Sequence, residues 1–265
     1  MNSILFAWFS CIAIQKMPDI LKMEKAFLDE MRTFSMQTFD FPQNLLNCIW
    51  KEKTQAGFIC IYNPELDAIS ISFRSTKSIL DCIYDFDIRL YPWPFSCREC
   101  KRAVLPISQL FNARVHNGFL SKYNHIRQDL HECIDRYSGK RVIFTGHSLG
   151  GAIAQIAALD IAMLFDIEID VVTFGSPKVG TRSFTRLLEE NVKITRIAHP
   201  KDFITAFPLH SRYIHAGGNP MSNLKSIQVI AYNIFLFLST GQHHGLFHRR
   251  YIYHDYLQRK FIHGI

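Results

Sequence analysis

The chain has 265 residues, 48% of them hydrophobic, 20% charged and 22 of them Phe, which excludes a disordered chain and supplies the apolar surface for a sizeable core. Its formal charge of +7, from 30 Lys and Arg against 23 Asp and Glu, favours anionic surfaces by long-range attraction. Charge alone does not choose between a membrane interface and nucleic acid.

Residues 4–14 and 229–238 are the longest apolar runs, and neither reaches the roughly 20 residues that a membrane-spanning helix needs. The first has the length of the apolar part of a secretory signal. No basic residue precedes it, however, and Cys11-Ile12-Ala13-Ile14-Gln15 is a poor cleavage site, so it reads as the opening helix of the domain. Residues 17–54 also read as helical, because Ile20, Met23, Phe27 and Met31 recur at spacings of three and four.

Segments 58–62 and 68–73 read as strands, and the turn chemistry of Asn63-Pro64-Glu65-Leu66-Asp67 joins them into a hairpin. Residues 87–114 break the pattern: Tyr91-Pro92-Trp93-Pro94-Phe95 cannot continue a helix or a central strand, which predicts a long aromatic loop of the kind used as a lid or binding loop. Four later β-rich runs, 141–145, 167–174, 192–198 and 212–215, surround a buried helix at 151–164. This alternation predicts one α/β domain with a mostly parallel central sheet flanked by helices and an antiparallel N-terminal hairpin. In such sheets chemistry sits where the strands end.

The seven cysteines are odd in number, and several lie within apolar segments where a free thiol packs as a small hydrophobe, so a disulfide framework is not expected. Cys97-Arg98-Glu99-Cys100 has CxxC spacing but no second pair, and reads as two loop thiols rather than a zinc or redox site.

The sharpest signal is Gly146-His147-Ser148-Leu149-Gly150, with a β-branched run before it and a helical run after it. A strand that turns abruptly into a helix strains the apex residue and demands small neighbours, while the helix N-terminus offers unpaired N–H groups to a developing negative charge. A serine hydroxyl needs a base, usually a histidine steadied by a carboxylate, in the chain order Ser, acid, His. Asp202 fits the acid, because the preceding strand runs out at Pro200; Asp160, within a helix, and Asp170, entering a strand, read as structural. Of the tail histidines 243, 244, 248 and 254, His254 is favoured as base, since Asp255 is a good N-cap for a final helix; His248 is its rival.

These residues together resemble the class 3 (fungal-type) lipase family of the α/β-hydrolase fold, from about Gly57 to the end. The likeness is carried by the elbow, by Ile71-Ser72-Phe73-Arg74-Ser75-Thr76, by Val115-His116-Asn117-Gly118-Phe119 and by Thr173-Phe174-Gly175-Ser176-Pro177-Lys178-Val179-Gly180. With no Ser/Gly-rich linker or internal repeat, residues 1–265 read as a single domain, and the resemblance implies that Ser148, Asp202 and His254 are its nucleophile, acid and base. Thr76 and Leu149 would lend backbone N–H groups to an oxyanion hole, and the loop at about 87–114 would be a lid whose Tyr91, Trp93 and Phe95 meet a lipid surface. The implied activity is a serine lipase or carboxylesterase that cleaves acyl esters of lipids, with peripheral contact to a lipid surface, no metal or organic cofactor and no nucleic-acid partner. Phospholipase A1-type activity and a non-catalytic lipid-binding or partner-binding module are the alternatives. One residue departs from the pattern: Ser75 stands where the family has Gly. His147 and His116, although within the matching motifs, read as structural.

Overall fold

The computed structural model describes residues 3–14, 44–75, 88–94, 112–137, 139–198 and 202–217. At its centre is a six-stranded sheet built from β1 (Leu45–Lys51), β2 (Ala56–Asn63), β3 (Ala68–Phe73), β6 (Arg141–His147), β7 (Ile169–Phe174) and β8 (Lys193–Ile197), in that order across the sheet. Strands β3, β6, β7 and β8 are mutually parallel, and β1 and β2 extend the sheet antiparallel at the N-terminal edge. A second, two-stranded sheet pairs β4 (Leu90–Pro92) with β5 (Arg114–His116).

The β2–β3 hairpin forms as expected, from Phe58 opposite Phe73 to Asn63 opposite Ala68. Its turn is closed by the Asn63 side chain, whose Oδ1 accepts from the Glu65 and Leu66 amides at 2.8 and 3.0 Å. The helical expectation for residues 17–54 is corrected at its C-terminal end, where residues 45–51 form β1 and Glu52–Thr54 a 3-10 turn. The edge of β2 gives this segment a ladder of partners, irregular only between Leu45 and Asn47, and pairing outweighs local helical periodicity; residues 17–43 lie outside the described residues. The run at 212–215 is not a strand of the main sheet. Ile214 makes one antiparallel bridge to Gly180, which in turn bridges Val115 and so ties the end of the described chain to β5.

Helix α1 (Ser3–Ile14) and helix α4 (Leu149–Leu164) cover opposite faces of the sheet. Along β6, Phe144 enters the cluster that includes Phe58, Phe73 and the buried face of α4, whereas the next residue, Thr145, meets α1. The Thr145 hydroxyl donates to Val172 O at 2.7 Å and lies 3.2 Å from the Cys11 sulfur, so α1 packs directly on the sheet. Among the described residues no helix is long and apolar enough to cross a membrane.

Helices α2 (Asn117–Asn124), α3 (Arg127–Arg136) and α5 (Arg182–Asn191) complete the layers around α4. One buried carboxylate joins three of them. Asp160 of α4 accepts from the Tyr123 hydroxyl at 2.6 Å and from Arg127 at 2.7 and 2.9 Å, and lies 2.8 Å from His131 Nε2. Burial alone would raise its pKa, but the hydrogen bonds from His131, Arg127 and Tyr123 hold it below the usual carboxylate value. Asp170, likewise read as structural, pairs with Arg141. Cys11, Cys60 and Cys133 are buried cysteines outside any disulfide and Cys48 is an exposed one; Cys97 and Cys100 lie outside the described residues.

Candidate active site

The four parallel strands all end at one edge of the sheet, and the candidate residues gather there. At the end of β6 the chain reverses directly into α4, and Ser148 is the pivot, with φ 53° and ψ −121°. Few non-glycine residues tolerate positive φ, so this backbone carries strain that its surroundings must hold in place. They do so through hydrogen bonds: the Ser148 amide donates to Phe174 O at 2.9 Å, and its carbonyl accepts from Gly151 N at 3.0 Å.

Glycines flank the pivot because backbone passes against backbone. A Cβ on Gly146 would lie 2.1 Å from the carbonyl carbon of Gly150, and one on Gly150 would lie 2.2 Å from Phe73 O. Neither glycine has positive φ, so it is space rather than conformational freedom that excludes a side chain. The packing also sets the end of β3 against the first turn of α4. Leu149 is the first residue of that helix, and its N–H belongs to the group that has no acceptor within a helix. The positive end of the helix dipole therefore faces the serine.

Asp202 lies beyond the end of β8, 2% exposed, as the cap of a 3-10 turn over Phe203–Ala206. Its Oδ1 accepts from the Ile204 amide at 3.1 Å, while Thr205 Oγ1 donates to its main-chain oxygen at 2.7 Å. Strands β6 and β8 flank β7, so the strands that lead to Ser148 and Asp202 lie two interstrand spacings, about 10 Å, apart in the sheet. His254, its rival His248, and Thr76 lie outside the described residues.

His215 was not singled out in the sequence, yet it braces the turn that follows Asp202. Its Nε2 lies 2.6 Å from Thr205 O, the carbonyl three residues beyond Asp202. Burial, with the Arg196 and Lys178 charges adding to it, pulls the His215 pKa down to about 3, so the ring is neutral and Nε2–H is the donor. No local pattern marks such a residue, because its role arises only when the chain returns past β8.

The other candidates sort by burial. His116 stacks on Phe119 with ring centroids 3.9 Å apart, and His147, in register with Phe174, is 3% exposed. Of the three aromatics expected at a lipid surface, Tyr91 is 49% exposed but Trp93 is turned into the core, its ring 5.6 Å from that of Phe184. The β4–β5 pairing causes this, since the Trp93 amide donates to Ala113 O at 2.9 Å and fixes the loop base. Phe95 lies outside the described residues. Ser75 has no positive φ, so its backbone conformation does not call for glycine.

A parallel sheet whose strand ends carry a serine on a strained strand-to-helix elbow, with an acid two strands away, defines an α/β-hydrolase. The lipase (class 3) family model matches residues 70–211, over half of the chain, and the chain belongs to that family. A chloroplastic phospholipase A(1) of Arabidopsis thaliana is 38% identical over 107 residues, which are 36% of this chain and 24% of that protein. A lipase of Rhizopus niveus is 33% identical over 159 residues, 56% of this chain and 37% of that one. Among solved structures, a nonglycosylated lipase of Yarrowia lipolytica superposes with a TM-score of 0.63 at 22% identity, covering 83% of this chain and 78% of that one. Lipase II from Rhizopus niveus gives 0.62 at 21% identity, covering 80% and 76%. The chain spans from 24% to 45% of the length of the curated relatives it matches.

Proposed function

We propose that the chain is a serine carboxylic-ester hydrolase that cleaves acyl esters of lipids through an acyl-enzyme, built as a single domain over residues 1–265 with the loop at about 87–114 as its lid. The observation that carries this reading is the backbone of Ser148, held at positive φ between β6 and the N-terminus of α4. Strain of this kind is retained where it presents a group for chemistry.

In the proposed reaction Ser148 Oγ attacks the ester carbonyl while His254 takes its proton. The carbonyl electron pair moves to oxygen, and the Thr76 and Leu149 N–H groups hold the resulting oxyanion. Asp202 keeps the imidazole in one tautomer and stabilises the imidazolium. Collapse expels the alcohol, which takes the proton back from His254, and water then repeats the sequence on the acyl-enzyme. The chemistry calls for no metal or organic cofactor.

Lipid esters are the favoured substrates because relatives named as lipases and as a phospholipase A(1) share this part of the chain. The latter name also supports a second reading, hydrolysis of a phospholipid acyl ester. Peripheral contact with a lipid surface is supported by the +7 charge and by exposed Ile88, Tyr91 and Leu209.

One assay tests the reading. Triacylglycerol, phospholipid and short-chain nitrophenyl ester are offered side by side to the wild type and to Ser148→Ala. The wild type should turn over at least one lipid ester, with a rate that rises as substrate passes from monomers to aggregates, and the variant should lose hydrolysis while keeping its fold. Undiminished turnover by the variant would refute the nucleophile, and a rate indifferent to aggregation would refute the lid.

A further inference from the structure

We propose that Ser75 is a further catalytic residue, whose side-chain hydroxyl donates a hydrogen bond to the oxyanion formed when Ser148 attacks; this rests on the serine-hydrolase reading above. Ser75 is 3% exposed, and its Oγ is buried with no hydrogen-bond partner among the described residues. A buried hydroxyl without a partner carries a desolvation penalty that needs a reason in a folded protein.

Three observations locate this hydroxyl. The parallel register of β3 and β6 sets Phe73 beside Gly146, so two residues further on Ser75 comes level with Ser148. Side chains alternate along the strand: Phe73 lies in the cluster with Phe144 and α4, and Arg74 lies on the other face with its guanidinium 4.2 Å from the Trp50 ring centroid. Ser75 thus returns to the α4 face. There the contact of Gly150 with Phe73 O and the Arg74 carbonyl carbon, 2.2 and 3.3 Å from a Cβ built on that glycine, brings the end of β3 against the first turn of the helix. A hydroxyl at this height on this face sits beside the N–H groups at the start of α4, where negative charge develops.

The step balances without a new reactant. The Ser148 Oγ–carbon bond forms, the carbonyl π pair becomes the oxyanion, and the Ser148 proton goes to the base. Ser75 keeps its own proton throughout and supplies only a hydrogen bond. Because the ester oxygen gains charge only as the tetrahedral adduct forms, the contribution falls on kcat rather than on KM.

The test compares wild type with Ser75→Ala, Ser75→Gly and Ser75→Thr on a nitrophenyl ester, each with its urea midpoint. Ala and Gly should lower kcat about a hundredfold with KM nearly unchanged, as for the loss of one oxyanion donor, and Thr, which keeps the hydroxyl, should restore most of the rate. Folded Ala and Gly variants with wild-type kcat, a loss expressed in KM, or a loss that follows falling stability would overturn the role of Ser75. Those results would leave the hydrolase reading standing, whereas a wild type that hydrolyses no ester would overturn both.

Discussion

At the residue scale, what separates a reactive serine from a packed one is the backbone beneath it. Ser148 was legible in the sequence because its neighbours are constrained chemically: two glycines at fixed spacing, a β-branched run before and an apolar helix after. Asp202 was legible because a strand stops just ahead of it. His215 was hidden, since nothing beside it in sequence signals a neutral, half-buried imidazole bound to Thr205 O in the turn after Asp202. Its burial predicts a pH dependence. The folded pKa of about 3 lies below the ordinary 6.5, so protons favour the unfolded chain. The stability held by neutral His215 is complete above pH 6.5 and drains away as pH falls toward 3, by about 1.4 kcal/mol per unit. His215→Gln keeps a donor that does not titrate, so urea midpoints at about pH 7 and 4.5 should converge on those of the wild type at the higher pH and exceed them at the lower. Parallel loss of stability in both proteins would show that His215 does not carry the dependence.

At the element scale, the hairpin and the elbow helix could be read locally and β1 could not. Asn63 and Asp67 encode the β2–β3 turn through their own side chains and backbone preferences, whatever the rest of the chain does. Residues 45–51 become a strand only because β2 presents an unpaired edge, which is information held in another segment. Trp93 follows the same logic, drawn inward by pairing to Ala113 although its sequence neighbours suggest a surface loop. The polar residues of α4 show how its apolar face is fixed. Asp160 ties α4 to Tyr123 of α2 and to Arg127 and His131 of α3, at a point about 18 Å along the helix from Ser148. Asp160→Asn should therefore lower stability by about 3 kcal/mol, because buried donors lose a charged acceptor, while turnover at low temperature stays at the wild-type value. Urea unfolding and an ester assay on the same preparation check this; an unchanged midpoint would mean that the cluster holds nothing together.

At the scale of the whole molecule, strand order turns distant sequence positions into one site. The four parallel strands bring the ends of β3, β6 and β8 to one edge, and the chain runs on from those ends to residues 75, 148 and 202, which no local pattern links. The sequence made that edge legible as the place for chemistry through the alternation of strands and helices. The base is the member that rests on sequence reasoning alone, since His248 and His254 lie outside the described residues. The central claim, that Ser148 is a nucleophile activated by a tail histidine, is tested most directly by treating the protein with a fluorophosphonate and mapping the adduct by mass spectrometry. The account predicts a single adduct on the peptide containing Ser148, abolished in Ser148→Ala and strongly slowed in His254→Ala. A wild-type protein that takes up no label, or takes it up at another residue, would contradict it.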